Sequence, residues 1–139
     1  MTLTHEPDPR FLIAQAPNWA ICLNQNQDLL GRCYLLLKRP ETEITRLTDA
    51  EVTELWAVVR KVREVLEALW YPDHFNYAFL MNVDPQVHFH VIPRYKDLRE
   101  LEGGSFVDPT FGAHYNLAPE KRLEESTYHA ILAAMRAKF

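Results

Sequence analysis

At 139 residues the chain is about one average domain, and its 47% hydrophobic and 24% charged residues are the balance of an ordinary globular protein with a proper core. The net charge of −4 argues against coating a nucleic-acid polymer, which asks for a basic surface, but leaves room for a single nucleotide in a local pocket. No apolar run approaches a membrane span and residues 1–7 lack a charged-then-apolar leader pattern, so we expect a cytoplasmic protein without membrane contact.

In chain order, Pro7, Pro9 and Pro17 bracket residues 10–15, which we read as one short helical arm. Residues 19–23 and 33–37 are apolar runs joined by the polar tip Asn24-Gln25-Asn26-Gln27-Asp28 and Gly31, a strand-loop-strand hairpin. The only two cysteines, Cys22 and Cys33, fall on those runs, so a cross-strand contact is conceivable beside the plainer reading of two small buried thiols. There is no Cys-x-x-Cys to support a zinc ribbon or a redox pair. Thr48-x-x-Glu51 is a capping box, after which Val52, Leu55, Trp56, Val59, Val62, Leu66 and Leu69 form one apolar stripe, with Trp56 assigned to the core. Tyr71-Pro72-Asp73 ends that helix.

Residues 75–80 and 87–92 read as paired strands connected through Asn82-Val83-Asp84-Pro85. Gly103 and Gly104 open an irregular stretch carrying Phe106, Phe111, His114 and Tyr115, and a last helix is expected from near Pro119 towards Phe139. Strands segregated from two main helices predict an α+β fold: a single domain over residues 1–139, with an antiparallel sheet, a long central helix and a C-terminal helix.

The chemistry concentrates in Gln86-Val87-His88-Phe89-His90-Val91-Ile92-Pro93-Arg94. Strand side chains alternate between faces, so Gln86, His88 and His90 are expected on one face and Val87, Phe89 and Val91 in the core. Two imidazoles on a rigid strand suit work on phosphate, one attacking while the other donates a proton or hydrogen bond. They also suit zinc, provided a third ligand comes from elsewhere, and Asp84, His74, His114 or Asp97 could be asked to supply it; no spacing singles one out.

This stretch resembles the histidine triad family, whose signature is His-x-His-x-His with apolar x, here with Gln86 at the first position and His88 and His90 at the second and third. The flanks Phe75-Asn76-Tyr77-Ala78-Phe79-Leu80-Met81-Asn82 and Pro93-Arg94-Tyr95-Lys96-Asp97, and Leu30-Gly31-Arg32-Cys33 with Lys38-Arg39, are similar to bacterial members, covering roughly residues 10–100. The resemblance implies that His88 attacks the α-phosphorus of a nucleotide to form a nucleotidyl-histidine. Its proton would be held by the backbone carbonyl of the first triad position, which Gln86 leaves in place. His90 would hydrogen-bond the non-bridging oxygens, and Gln86 would contact a phosphate or bridging oxygen without carrying a proton.

Asn24, seven residues before Gly31, matches an asparagine that contacts nucleotide in part of the family, or simply starts a polar loop. Asn82 could bind nucleotide or cap its turn, and Arg94 could bind phosphate bidentately or hold a loop or a dimer. Arg32 stands where several members carry a further histidine. The implied function is a nucleotide hydrolase or nucleotidyl transferase, acting on dinucleoside polyphosphates or nucleoside phosphoramidates. The alternative is a catalytically weak nucleotide sensor on the same fold. No cofactor is required, a divalent cation could accompany a polyphosphate, and the family habit together with the aromatic tail favours a homodimer.

Overall fold

The computed structural model describes residues 4–116 and 120–139. Its strands are β1 (Leu12–Gln15), β2 (Trp19–Leu23), β3 (Cys33–Leu37), β4 (His74–Phe79), β5 (His88–Arg94), β6 (Arg99–Leu101) and β7 (Gly104–Phe106). The helices are α1 (Asp49–Trp70) and α2 (Glu125–Arg136), with a single 3-10 turn at Ile44–Arg46. The first five strands form one antiparallel sheet in the order β1-β2-β3-β5-β4, and β6 pairs with β7 in a separate small hairpin. This is the expected α+β architecture.

The register sorts the side chains into two layers. Trp19, Ile21, Leu23, Cys33, Leu35, Leu37, Phe89 and Val91 are buried in the main core with α1. Ala20, Cys22 and Leu36 form a separate apolar patch on the opposite face, joined by Leu12 and Tyr34. That second face carries the histidines, because Tyr34 stands opposite His90 and Leu36 opposite His88. Cys22 pairs with Tyr34 and Leu23 with Cys33, so the two cysteines point to opposite faces and are both free.

Helix α1 begins as expected: the Thr48 hydroxyl accepts from the Glu51 amide, and the Glu51 carboxylate accepts from the Thr48 amide. It ends with Tyr71 in the left-handed region before Pro72. Its buried face is Leu55, Val58, Val59, Val62, Val65, Leu66 and Trp70, rotated slightly from the expected stripe. Val52 and Trp56 stay outside, with Trp56 48% exposed, against its assignment to the core. Trp56 instead rests edge-on against Phe89, at a centroid distance of 6.0 Å. Gly31 has φ 85°, and a Cβ there would lie 2.6 Å from Leu66, so this tight approach of the β2–β3 loop to α1 excludes a side chain.

Three further expectations are corrected. Residues 12–15 are an edge strand rather than part of a helical arm, because Leu12, Ala14 and Gln15 find ladder partners on β2. The stretch after Arg94 contains the β6–β7 hairpin, with Gly103 at positive φ in its turn. The last helix starts at Glu125; the expected start at Pro119 lies outside the described residues.

Candidate functional site

His88 and His90 lie one pleat apart on β5, their rings edge to face with centroids 4.8 Å apart. Tyr34 reaches across from β3, its ring 6.0 Å from His88 and 6.4 Å from His90. Both histidines line a cleft of about 480 Å³ with Tyr34, Leu36, Gln25, Asp84 and the N-terminal segment residues Glu6 and Asp8. Of the buried apolar patch on this side of the sheet only Leu36 reaches the cleft, where with the Tyr34 ring it gives the wall an apolar part.

The tautomer of His88 follows from its neighbour. Its Nδ1 lies 2.7 Å from the backbone carbonyl oxygen of Gln86, which can only accept, so Nδ1 carries the hydrogen and Nε2 keeps a free lone pair. His90 differs in electrostatics. Burial, then the neighbouring His88, then the charge of Arg32 pull its pKa down from 6.5 to about 4, so it is neutral at pH 7. The site therefore sets the Nε2 atom of His88 beside a neutral His90 imidazole. Burial raises the Tyr34 hydroxyl well above its ordinary range and the Cys22 thiol to about 11, so neither ionises near neutrality.

The other expected site residues are placed differently. Gln86 is fully buried and precedes β5. Its Nε2 donates to the carbonyls of Leu37 (3.0 Å) and Arg39 (2.8 Å), and its Oε1 accepts from the Glu41 amide (3.2 Å). The side chain is thus a brace for the end of β3 with no face on the cleft, and only its backbone carbonyl serves His88. Arg94 is 2% exposed, and its donors go to the Asp108 carboxylate, Asn76 Oδ1 and the backbone oxygens of Thr110 and Ala113. It clips the loop after β7 onto the sheet, and no phosphate is needed to satisfy it.

Asn24 accepts from the Asn26 amide at 2.9 Å in a local turn of the β2–β3 loop. Asn82 is exposed on the β4–β5 loop, outside the residues that line the cleft. Of the possible third metal ligands, only Asp84 shares the cleft; His74 and His114 line a different one beside Arg94. Among the described residues no three His, Cys, Asp or Glu side chains converge.

Sequence reasoning missed Tyr34, Leu36, Glu6 and Asp8 as cleft residues. Alternation within Cys33-Tyr34-Leu35-Leu36-Leu37 already separates Tyr34 and Leu36 from the core-facing residues. Their meaning required knowing that β3 pairs with the histidine strand.

Comparisons with known proteins bear on the family and the fold. The HIT domain model matches residues 7–97. A bis(5'-nucleosyl)-tetraphosphatase (asymmetrical) from Schizosaccharomyces pombe is 33% identical over 82 residues, covering 55% of this chain and 45% of that protein, so less than half of that relative is matched. A histidine triad protein from Sinorhizobium meliloti superposes with a TM-score of 0.76 at 18% identity, covering 93% of this chain and 89% of that one. One from Bradyrhizobium japonicum gives 0.73 at 21% identity, covering 91% and 88%.

Proposed function

The chain belongs to the histidine triad (HIT) family, and from that premise we propose that it hydrolyses a dinucleoside polyphosphate through a covalent nucleotidyl-histidine on His88. The observation that carries this reading is the 2.7 Å contact between His88 Nδ1 and the Gln86 carbonyl, which leaves Nε2 as a lone-pair nucleophile facing the cleft. The base lies in the cleft against Leu36 and Tyr34, Nε2 attacks the α-phosphorus in line, and the bond from phosphorus to the bridging oxygen breaks. The leaving nucleotide takes the bond electrons with it. His90, neutral, hydrogen-bonds the equatorial oxygens as their charge grows. Water then cleaves the phosphorus–nitrogen bond, releases the nucleoside monophosphate and returns the lone pair to His88.

The leaving group is argued from Gln86. Its side chain is held by three backbone groups and is not ionisable, so it supplies no proton to a departing amine. A polyphosphate leaves as a stabilised anion, whereas a phosphoramidate must be protonated first, so the site favours the polyphosphate branch of the two substrate classes. The S. pombe relative is described as a tetraphosphatase, which points the same way. Glu6, Asp8 and Asp84 on the cleft wall would repel a bare polyphosphate. A divalent cation travelling with the substrate, and held mainly by its phosphates and waters, relieves that repulsion. The reading includes a cytoplasmic homodimer, joined along the open edge β4, where Tyr77 is 40% exposed and, like the half-exposed Trp56 of α1, packs against Phe89.

The test is brief mixing with diadenosine tetraphosphate or adenosine phosphoramidate, a non-acidic denaturing quench, and intact-protein mass spectrometry with product analysis. We expect adenosine monophosphate release, faster on the polyphosphate, and an adduct on the wild type that His88→Ala lacks. Binding of both compounds with no adduct and no product would replace the hydrolase with a nucleotide sensor.

A further inference from the structure

Arg32 is 6% exposed, on the histidine side of the sheet, yet it does not line the histidine cleft. It stands one residue before β3, so continuation of the β3–β5 ladder sets it opposite Ile92 and diagonal to His90, within the reach of a long side chain. Its Nη1 donates to the Asp28 carboxylate at 3.0 Å, and its guanidinium lies 5.9 Å from the centre of the Tyr115 ring. Its Nε is buried without a hydrogen-bond partner in the protein, and so is Nδ1 of His90. The two atoms are not hydrogen-bonded to each other, so what Arg32 does to His90 it does through the field of its charge.

We infer that Arg32 is a positioning residue that sets the tautomer of His90, holding Nδ1 unprotonated towards the guanidinium and Nε2–H towards the phosphate. The reason is chemical. A guanidinium has five donors and no acceptor, so it never accepts a proton from Nδ1 and its positive field disfavours an N–H aimed at it. The other groups around His90 do not oppose this choice: Tyr34 on β3, His88 on β5, the small Ala78 opposite on β4, and Glu6, Asp8 and Asp84 across the cleft. The two histidines then hold opposite tautomers. His88 carries its hydrogen on Nδ1, fixed by a carbonyl, and offers a lone pair. His90 carries its hydrogen on Nε2, fixed by a cation, and offers a donor. A nucleophile and an oxyanion donor are thereby made from two identical side chains.

The role in catalysis rests on the hydrolase reading above, but the tautomer itself does not, so the two are tested separately. Long-range proton–nitrogen spectra of histidine-labelled free protein at pH 7, assigned with His90→Gln, read the protonation of each ring nitrogen. The expected pattern is Nε2-protonated for His90 and Nδ1-protonated for His88. Arg32→Met is expected to shift His90 towards a mixture of tautomers, while Arg32→Lys, still a donor-only cation, keeps the wild-type pattern. In turnover of diadenosine tetraphosphate, Arg32→Met is expected to lose about tenfold or more in kcat with KM little changed, because the lost donor acts in the transition state. A proton on Nδ1 of wild-type His90 overturns the inference even if Arg32→Met fails to fold. An unchanged His90 spectrum in folded Arg32→Met does the same. The expected tautomers with no turnover in the wild type would remove the hydrolase reading and leave Arg32's effect on His90 standing.

Discussion

Arg94 was a reasonable phosphate ligand from its place just past the histidines, and the structure makes a different, quantitative claim about it. Its side chain is 3% exposed and that of Asp108 is 1% exposed; Nε donates to one carboxylate oxygen at 2.6 Å and Nη2 to the other at 3.1 Å. Asp108→Ala therefore strands a buried guanidinium rather than merely deleting a contact, a loss of about 3–5 kcal/mol. A domain of this size holds about 5–15 kcal/mol in total, so the variant should remain folded but weak. With a urea m-value of roughly 2 kcal/mol/M, the midpoint should fall by about 2 M, and the thermal midpoint by about 10–15 °C. The partner experiment is the double variant Arg94→Met with Asp108→Leu, which removes both charges and should recover most of the loss. Urea titrations of wild type, Asp108→Ala and the double variant decide the matter. A midpoint drop below about 0.5 M for Asp108→Ala, with an Arg94→Met variant that raises KM at full stability, would refute the clip and return Arg94 to the phosphate.

His90 makes stability depend on pH. Its folded-state pKa is about 4 against an ordinary 6.5, so the unfolded chain binds the extra proton first, and stability is complete above pH 6.5 and declines as pH falls towards 4. The full loss is about 3 kcal/mol, and urea midpoints between pH 7 and pH 5 should fall in wild type but stay nearly flat in His90→Gln; parallel slopes would contradict the burial argument. Gln86→Ala leaves the Leu37 and Arg39 carbonyls and the Glu41 amide without their side-chain partner. It should destabilise by about 2–3 kcal/mol in urea melts while KM for nucleotide changes little, whereas a side chain that bound phosphate would show the reverse. Trp56→Glu should turn a dimer into a monomer in sedimentation velocity without unfolding it, since the ring is already half outside the protomer; a wild type that sediments as a monomer removes the dimer.

Much of the fold was readable because its signals are local. A capping box, a Tyr-Pro helix end and the alternation around His88 each act within a few residues of themselves. What was not readable involves partners distant in the chain. Arg94 finds Asp108 across fourteen residues and a hairpin, and nothing in either neighbourhood announces the pair. Residues 12–15 lack a strong strand signature of their own and become a strand because β2 offers an open edge. Trp56 fails for another reason: helical spacing records that a face is apolar but not whether its own domain or a second copy covers it. The expectation for the central helix was therefore right about the pattern and wrong about where the pattern's edge is buried.

Gln86 shows how a site residue can be missed while its function is kept. The alternation in Gln86-Val87-His88-Phe89-His90 invites extension of the strand one pleat too far, and on an ideal strand the Gln86 amide would face the phosphate. The ladder instead starts at His88; Val87 donates to the Glu41 carbonyl, and the chain turns so that the Gln86 amide enters the gap beside Leu37, Arg39 and Glu41. An amide suits that gap because it donates twice and accepts without carrying charge, which a histidine cannot do in one neutral form. The same placement leaves the Gln86 carbonyl 2.7 Å from His88 Nδ1. On the proposed reading, glutamine at this position thus offers no acid to the phosphate and preserves the tautomer of His88. That combination suits a substrate whose leaving group departs unaided, and it gives the polyphosphate reading its chemical basis.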